Sequence, residues 1–281
     1  MILFKEYHSC CVVSLPNQTF NVNRQRIKSM NLFDTNSAEY AAAFQSMLRS
    51  TDERIQIKRM LSQLLCNFSS ESIAVDWGAG SGTLTTELLH SFSTVYAVEP
   101  NPVFQNILCE SCPDAIVIPS GISEAILPVL VDIGIMSHVL YYFPEETWGQ
   151  VCLEAANHLT SRGILIVILK SCLAGENQMF EAFGSSKCDL SGIVKQLRNH
   201  PEFDLRFCSV PARFKINTFE ETLSIARFML NDRPLTSYAN IPTEEEFQIY
   251  VRKHFWDETE QQGGWNCPQQ FAVINRNPFY N

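Results

Sequence analysis

Val75-Asp76-Trp77-Gly78-Ala79-Gly80-Ser81-Gly82-Thr83, followed by Val95-Tyr96-Ala97-Val98-Glu99-Pro100, is the stretch that decides the fold. A short apolar run from Ser72 to Trp77 breaks into three glycines at alternate positions. A helix-like pattern then begins at Leu84-Thr85-Thr86-Glu87-Leu88-Leu89. The order is strand, glycine turn, helix, and then a second apolar strand that ends in a carboxylate. Glycines let the backbone turn tightly and approach a ligand where a Cβ would collide. A carboxylate at the tip of the next strand can accept both hydroxyls of a ribose. The combination predicts a pocket for a nucleoside-type cofactor.

The dinucleotide fingerprint places its glycines as G-x-G-x-x-G, with a pyrophosphate on the helix N-terminus. Here Gly78 and Gly80 fit that spacing, but the third glycine falls at Gly82 and Thr83 takes its place. The same alternation of strands and helices continues outward from the loop. Strands are predicted at Ile73–Trp77, Val95–Val98, Ala115–Ile118, Val131–Ser137 and Ile164–Leu169, and helices at Leu84–Phe92, Pro102–Cys112 and Glu145–Leu159. Such alternation predicts an α/β fold with a parallel sheet and right-handed crossovers. The unbroken run Ile164-Leu165-Ile166-Val167-Ile168-Leu169 suits a central strand buried on both faces. Further helices are expected over Glu176–Phe183 and Leu190–Asn199, and strands near Leu205–Val210 and Phe271–Ile274.

Before this core, Tyr40, Phe44, Met47 and Leu48, then Ile55, Met60, Leu64 and Leu65, recur at helical spacing. Asn36 or Ser37 suits the cap of the first helix, and Thr51 or Asp52 that of the second. Residues 1–30 show no period and end in a basic patch, Arg24, Arg26 and Lys28, which reads as a loosely attached arm. The expected organisation is therefore an arm at 1–30 and one domain at 31–281. Within it lie a helical cap (31–68), a cofactor-binding core (72–170) and a substrate-side region (171–281) that carries a polar helical insertion at 218–264.

The chain has 281 residues, 46% of them apolar, enough for a packed core of this size. A net charge of −9 and a pI near 5.2 argue against a nucleic-acid partner, which needs clustered cations against phosphate. The same acidity suits a cationic small substrate, or simply a solvated surface. Ten cysteines are present. Cys109 and Cys112 have C-x-x-C spacing but lack a second pair or spaced histidines, so no metal site is expected. The cysteines read as reduced and mostly buried thiols. No run approaches the twenty apolar residues of a membrane span, and Met1 to Phe20 make a poor signal peptide. A cytoplasmic setting is expected.

The D-x-G-x-G-x-G arrangement of Asp76, Gly78, Gly80 and Gly82 resembles the first motif of class I S-adenosylmethionine-dependent methyltransferases. That resemblance implies a Rossmann-like seven-stranded sheet with S-adenosylmethionine as cofactor. Asp76, Gly78, Ala79, Gly80 and Gly82 would form the loop against its methionine part, and Glu99 with Pro100 would hold the ribose. Ser120, Gly121 and Ile122 would lie by the adenine, and Ser137 would complete the site. Within this class, three islands resemble the histamine N-methyltransferases. They are Tyr40, Phe44 and Glu53 at spacings of four and nine, the segment Ser137-His138-Val139-Leu140-Tyr141-Tyr142, and Trp265-Asn266 before Gln270-Phe271-Ala272-Val273-Ile274. The resemblance implies that Glu53 and Asn266 hold the polar head of a small-molecule substrate. Tyr40, Phe44, Tyr142, Phe180 and Phe228 would wall its pocket. His138 stands where the family has a glutamine, and Glu176 where it has a tryptophan.

Methyl transfer to a neutral nitrogen asks little beyond positioning and desolvation. Glu53 would orient an amine or imidazole N–H, which makes nitrogen methylation the leading expectation. A hydroxyl acceptor must lose a proton, and His138 is then the general base. A third reading keeps the cofactor site without methyl transfer, in a cyclase-type biosynthetic enzyme or a regulatory binding module. Plain structural readings stand beside these. Tyr40 and Phe44 share a helical face and suit core packing, and Glu53 suits the positive end of a helix. Asn266 after Gly263-Gly264 suits a turn, and Glu244-Glu245-Glu246 a solvated helix start.

Overall fold

The computed structural model describes residues 30–34, 37–231 and 239–277. The arm expected over the first thirty residues, with its basic patch, lies outside these except for Met30, as do Cys10, Cys11 and the alternative cap Asn36. In chain order, α1 (Ala38–Arg49) and α2 (Glu53–Leu64) precede β1 (Ile73–Trp77), α3 (Thr83–Leu89) and β2 (Thr94–Val98). Next come α4 (Pro102–Ser111), β3 (Ile116–Ile118), β4 (Val131–Ser137), α5 (Trp148–Ala156) and β5 (Leu159–Lys170). They are followed by α6 (Gly175–Ala182), α7 (Ile193–Leu197), β6 (Phe203–Val210), α8 (Phe219–Leu230) and α9 (Glu244–His254). A ribbon of β7 (Trp256–Asp257) and β8 (Gln262–Gly263) leads to β9 (Gln269–Arg276).

The described residues fall into two compact units. One holds Asp52–Asn177, Lys187–Arg213 and the chain from Asn266 onward. Its seven-stranded sheet has the order β3-β2-β1-β4-β5-β9-β6. The strands from β3 to β5 pair in parallel, as the alternation predicts, whereas β9 runs antiparallel to both β5 and β6. Side chains alternate across each strand, so one sequence run feeds two cores. Val75, Trp77, Met136, Leu165, Val167 and Ile274 face a core completed by α5 and α7. Ala74, Ile133, Ile135, Ile166, Ile168 and Phe271 face the other, with Ile57 and Leu61 of α2 and Leu88 of α3. From Leu165 to Leu169 nothing of β5 is exposed, because it carries helices over both faces.

The other unit is built from the described residues up to Thr51, Gln178–Ser186 and Phe214–Trp265. Ser37 caps α1 by accepting from the Tyr40 N–H at 3.0 Å. Helices α1 and α8 meet through aromatic rings, with Tyr40 and Phe44 lying 5.0 and 5.6 Å from Phe228. The predicted insertion resolves into α8, α9 and the short β7–β8 ribbon. The helix expected over Leu190–Asn199 is a 3-10 turn at Leu190–Gly192 followed by the short α7. Gly192 and Asp189 explain the tight start, since the aspartate accepts from Ser191 N. The expectation of mostly buried thiols holds for Cys112, Cys152, Cys188 and Cys267 only. Cys66 and Cys109 are exposed, because each lies on the outer side of a helix or its end.

Candidate functional site

The site is assembled within the sheet-bearing unit, at the carboxyl ends of the parallel strands, where open α/β sheets place ligands. Beyond β1 the chain turns through Gly78, Gly80 and Gly82, whose φ angles are 74°, 55° and 87°. All three lie in the left-handed region that a Cβ disfavours. Their surroundings differ. A Cβ on Gly78 would come within 2.5 Å of Val139 Cγ2, and one on Gly82 within 2.7 Å of Cys112 Sγ. A Cβ on Gly80 would meet nothing within 4 Å, so this glycine faces open space. The loop is pinned from behind by Val98 O, which accepts from Gly78 N at 2.8 Å and Ala79 N at 3.0 Å. Ala79 turns its methyl into a small core with Ala97, Leu108 and Cys112, leaving only its backbone to the site.

Glu99, at the tip of β2, is buried and reaches across to this loop. Its Oε2 accepts from Gly80 N at 2.8 Å and its Oε1 from Asn101 N at 2.8 Å. A carboxylate has about four acceptor positions, so two remain for hydroxyls brought by a ligand. Pro100 follows on the surface. Asp76 is buried and accepts from Thr85 Oγ1 at 2.7 Å, tying the end of β1 to the first turns of α3. Burial pushes its carboxyl up to about 6 against the donations from Thr85, and the charge of Glu99 adds to the rise. Asp76 thus braces the loop from inside.

Beyond β3, Ser120 donates its backbone N–H to Ile118 O at 3.0 Å. Its Oγ is buried with no hydrogen-bond partner among the described residues. Gly121 leaves room for Glu124, whose Oε2 would lie 2.4 Å from an added Cβ. Ile122 is buried in the core beneath this edge. Ser137 ends β4, and His138 follows with φ 56°, a strained value for a residue with a Cβ. Its N–H donates to Ile168 O at 2.9 Å.

A cluster of charged and polar side chains surrounds His138. Its Nε2 lies 3.0 Å from Glu53 Oε1, on the first turn of α2. Burial pushes the Glu53 carboxyl up, but the hydrogen bond and charge of His138, with the charges of Lys170 and Arg54, outweigh it. The group ends below the usual glutamate range. The Tyr141 ring stacks on His138 at 5.8 Å and 23°, and its hydroxyl accepts from Lys170 N at 2.9 Å. Burial pushes the Tyr141 hydroxyl well above the usual tyrosine range, with Lys170 opposing. Lys170 Nζ lies 3.6 Å from Glu176 Oε1, and Glu176 is buried. The sequence reading names Tyr141 in the island with His138 and Glu176 at a position where the family has a tryptophan, but it misses Lys170 and the pair that Lys170 forms with Glu176. The one signal for Lys170 is that it ends β5, a strand whose tip borders the site.

The residues expected to hold the substrate are divided between the units. Tyr40, Phe44 and Phe228 form the aromatic contact of α1 and α8, and Phe180 is buried in the same unit, on α6. Glu53, His138, Tyr142 and Asn266 belong to the sheet-bearing unit. Tyr142 is 75% exposed there, on the 3-10 turn Leu140–Tyr142, so within this unit it walls nothing. Asn266 is exposed, pairs with Arg213 across an antiparallel bridge, and accepts from Gly175 N at 2.8 Å. Arg213 N in turn donates to Asp52 Oδ1 at 2.8 Å. Backbone pairing therefore brings Asn266 within two segments of Glu53. Among the described residues no group of three or more His, Cys, Asp or Glu could hold a metal ion. No described helix is long and apolar enough to cross a membrane.

No family model and no curated protein matches the sequence. Solved structures do match the fold. A candidate methyltransferase from Bacillus halodurans aligns over 79% of this chain and 98% of its own, at 14% identity and a TM-score of 0.56. The YcgJ protein of Bacillus subtilis aligns over 78% and 97%, at 10% identity and a TM-score of 0.54. A protein of unknown function from Deinococcus radiodurans aligns over 76% and 84%, at 10% identity and a TM-score of 0.50. With its strand order and antiparallel β9, the chain has the Rossmann-like fold of class I methyltransferases.

Proposed function

We propose that this protein is an S-adenosylmethionine-dependent methyltransferase acting on a small-molecule amine or imidazole nitrogen. The observation that carries the cofactor assignment is Gly80. It alone of the three loop glycines faces open space, and its N–H points to Glu99, whose carboxylate keeps acceptor capacity for ribose hydroxyls. The unpartnered Ser120 Oγ beyond β3 offers a further contact, for an adenine edge. The third glycine falls at Gly82 and Thr83 takes the dinucleotide position, which disfavours a dinucleotide. When bound, S-adenosylmethionine supplies a methyl group on a sulfonium, open to displacement by an acceptor lone pair.

The protein's own work is to position that lone pair and keep water away. Support for nitrogen comes from the islands around Tyr40, Glu53, Ser137–Tyr142 and Asn266 that resemble histamine N-methyltransferases. It also comes from local charge, since an ionised Glu53 beside the Lys170–Glu176 pair favours a cationic substrate. A hydroxyl acceptor is the second reading, favoured by the contact between His138 and Glu53. The acidic chain disfavours nucleic acid as acceptor, and its free thiols suit the cytoplasm.

The test combines calorimetry with S-adenosylhomocysteine and transfer of a labelled methyl group. The acceptors are histamine and other imidazole amines, arylalkylamines, phenols and hydroxy acids, with products identified by mass. Binding together with a methylated amine or imidazole is expected. Absence of S-adenosylhomocysteine binding would sink the cofactor assignment, and methylation confined to hydroxyls would sink the nitrogen reading.

A further inference from the structure

We infer that the outer edge of β6 is a self-association surface. A second copy of this chain adds its own β6 there, antiparallel, and the two sheets become one across a two-fold axis at Leu205. The surface belongs to the sheet-bearing unit and does not depend on the methyl-transfer reading.

Backbone phase sets what the edge offers. β6 ends the strand order and, among the described residues, pairs with β9 alone. The bonds that flank this ladder run from Asn277 N to Glu202 O and from Cys267 N to Ala212 O, both at 2.8 Å. Hydrogen-bonded pairs alternate along an antiparallel ladder, so Asp204, Arg206 and Cys208 direct their N–H and C=O groups to β9. Phe203, Leu205 and Phe207 direct theirs outward. Phe203 N–H turns back to His200 O at 3.1 Å, while the outward groups of Leu205 and Phe207 find no backbone partner among the described residues. An open strand of 8 residues is a template for another strand, whereas β3 at the opposite edge has only 3.

Charge then selects the register. Phase requires outward-directed residues to meet their like, Leu205 against Leu205 or Phe207. Asp204 and Arg206 share one face of the strand, with side chains 54% and 74% exposed, and Arg206 Nε lies 3.0 Å from Asp204 Oδ2. An axis at Leu205 sets each Asp204 opposite Arg206 of the second copy. These are non-hydrogen-bonded pairs, in which side chains come closest. Sliding one strand by a single pleat sets Arg206 against Arg206, or Asp204 against Asp204. Charged edges ordinarily repel a second strand. Here they admit it in one register.

The same register closes the other face. Phe203 and Leu205 already pack against the core beneath α7, and Phe207 beside them is 37% exposed. In the pair, Phe207 lies opposite Phe203 of the second copy and Leu205 opposite its own equivalent, extending the apolar strip across the axis. The two Leu205 residues exchange both backbone bonds, and each Phe207 N–H donates to Phe203 O of the other copy.

The test is charge exchange read by sedimentation equilibrium. The parent is expected to approach twice the chain mass of 31.9 kDa and to dissociate on dilution. Asp204→Arg and Arg206→Asp each set like charges opposite one another, which should raise the dissociation constant about 10²-fold. Both side chains are exposed, so the far-ultraviolet circular dichroism of each variant should match the parent's. An equimolar mixture of the two variants opposes unlike charges at every pair and should recover the parent's association. The chain carrying both exchanges should do the same. A parent that stays monomeric across the concentration series would overturn the inference. Single variants that associate like the parent, or a mixture that stays monomeric, would overturn it too.

A second arm reads the axis. Leu205→Cys should join to its own copy under mild oxidation, because hydrogen-bonded antiparallel pairs hold Cα atoms about 5.5 Å apart, within disulfide range. Mass spectrometry is expected to find a peptide linked to itself at position 205. Linkage through Cys208 instead, or no linkage, would overturn the register.

Discussion

Gly78, Gly80 and Gly82 share a backbone conformation but not a reason for being glycine, and substitution separates the two. Alanine at position 82 adds left-handed strain of about 1–2 kcal/mol to a clash with Cys112 Sγ and Leu108 Cδ1 within 2.8 Å. Gly82→Ala is therefore expected to cost about 3 kcal/mol of stability, read by denaturant unfolding. Gly80→Ala meets no atom and is expected to cost only the strain, about 1 kcal/mol. Its S-adenosylhomocysteine affinity should nevertheless fall by tenfold or more. The reverse pattern would show that the open space beside Gly80 is not where the cofactor lies. Asp76 gives a pH signature. Its carboxyl is held near 6 against an ordinary 3.8, so the folded state keeps this proton longer than the unfolded chain. Stability from this group is present below the ordinary value and is lost as pH rises from about 4 through 6. Asp76→Asn removes that loss and keeps an acceptor for Thr85. The variant should gain up to about 3 kcal/mol over the parent at pH 7.5 and nothing near pH 4. A difference independent of pH would mean that Asp76 is not charged at neutrality against the cost of burial.

Helix starts show which local signals were legible and which were not. The run Glu244-Glu245-Glu246 reads from sequence as a solvated helix start, and α9 begins there in a capping box. Thr243 Oγ1 accepts from Glu246 N at 3.1 Å, and Glu246 Oε2 accepts from Thr243 N at 2.8 Å. Thr243→Ala is expected to cost about 1 kcal/mol, with faster amide exchange confined to the first turn of α9. An unchanged first turn would show that packing, not the cap, holds that end. Asp52 stands in the equivalent place before α2 but does not cap it. Its oxygens go to Gln56 and to the Arg213 backbone instead. That partner is distant in the chain, so no local pattern announces it. The same limit explains the site. The glycine loop and Glu99 are legible because they belong to one strand-turn-helix-strand unit, whose spacing reflects local geometry. The pairing of Glu53 with His138, and of Lys170 with Glu176 beside it, depends on where α2 and α6 dock on the sheet. Helical periodicity fixes which face of such a helix is buried, not which strand end its first turn meets.

The sheet as a whole is organised around a strand that comes last in the chain. The run at Ile164–Leu169 announces a central strand, but its partner on one side is β9, which arrives after the second unit has been threaded. Sequence alternation gives the parallel strands, because helical crossovers return the chain in the same direction. It predicts a strand at Phe271–Ile274 but not the direction or place of β9, which enters antiparallel between β5 and β6. Phe271, Ala272 and Ile274 are wholly buried, with Phe271 in one core and Ala272 and Ile274 in the other. The strand therefore closes both cores as well as two ladders. At the opposite edge, β3 is only three residues long, has one strand neighbour, and leaves Ile116 48% exposed. A proline removes a ladder hydrogen bond and is tolerated mainly at edges. Val273→Pro pairs against Arg206 on one side and Ile166 on the other, so no solvent-facing position is available to it. That variant is expected to cost more than about 3 kcal/mol and to yield little soluble protein. Val117→Pro in β3 should remain folded, with a modest fall in its denaturation midpoint. Comparable soluble yields and midpoints for the two variants would refute the assignment of β9 as the strand on which both cores depend.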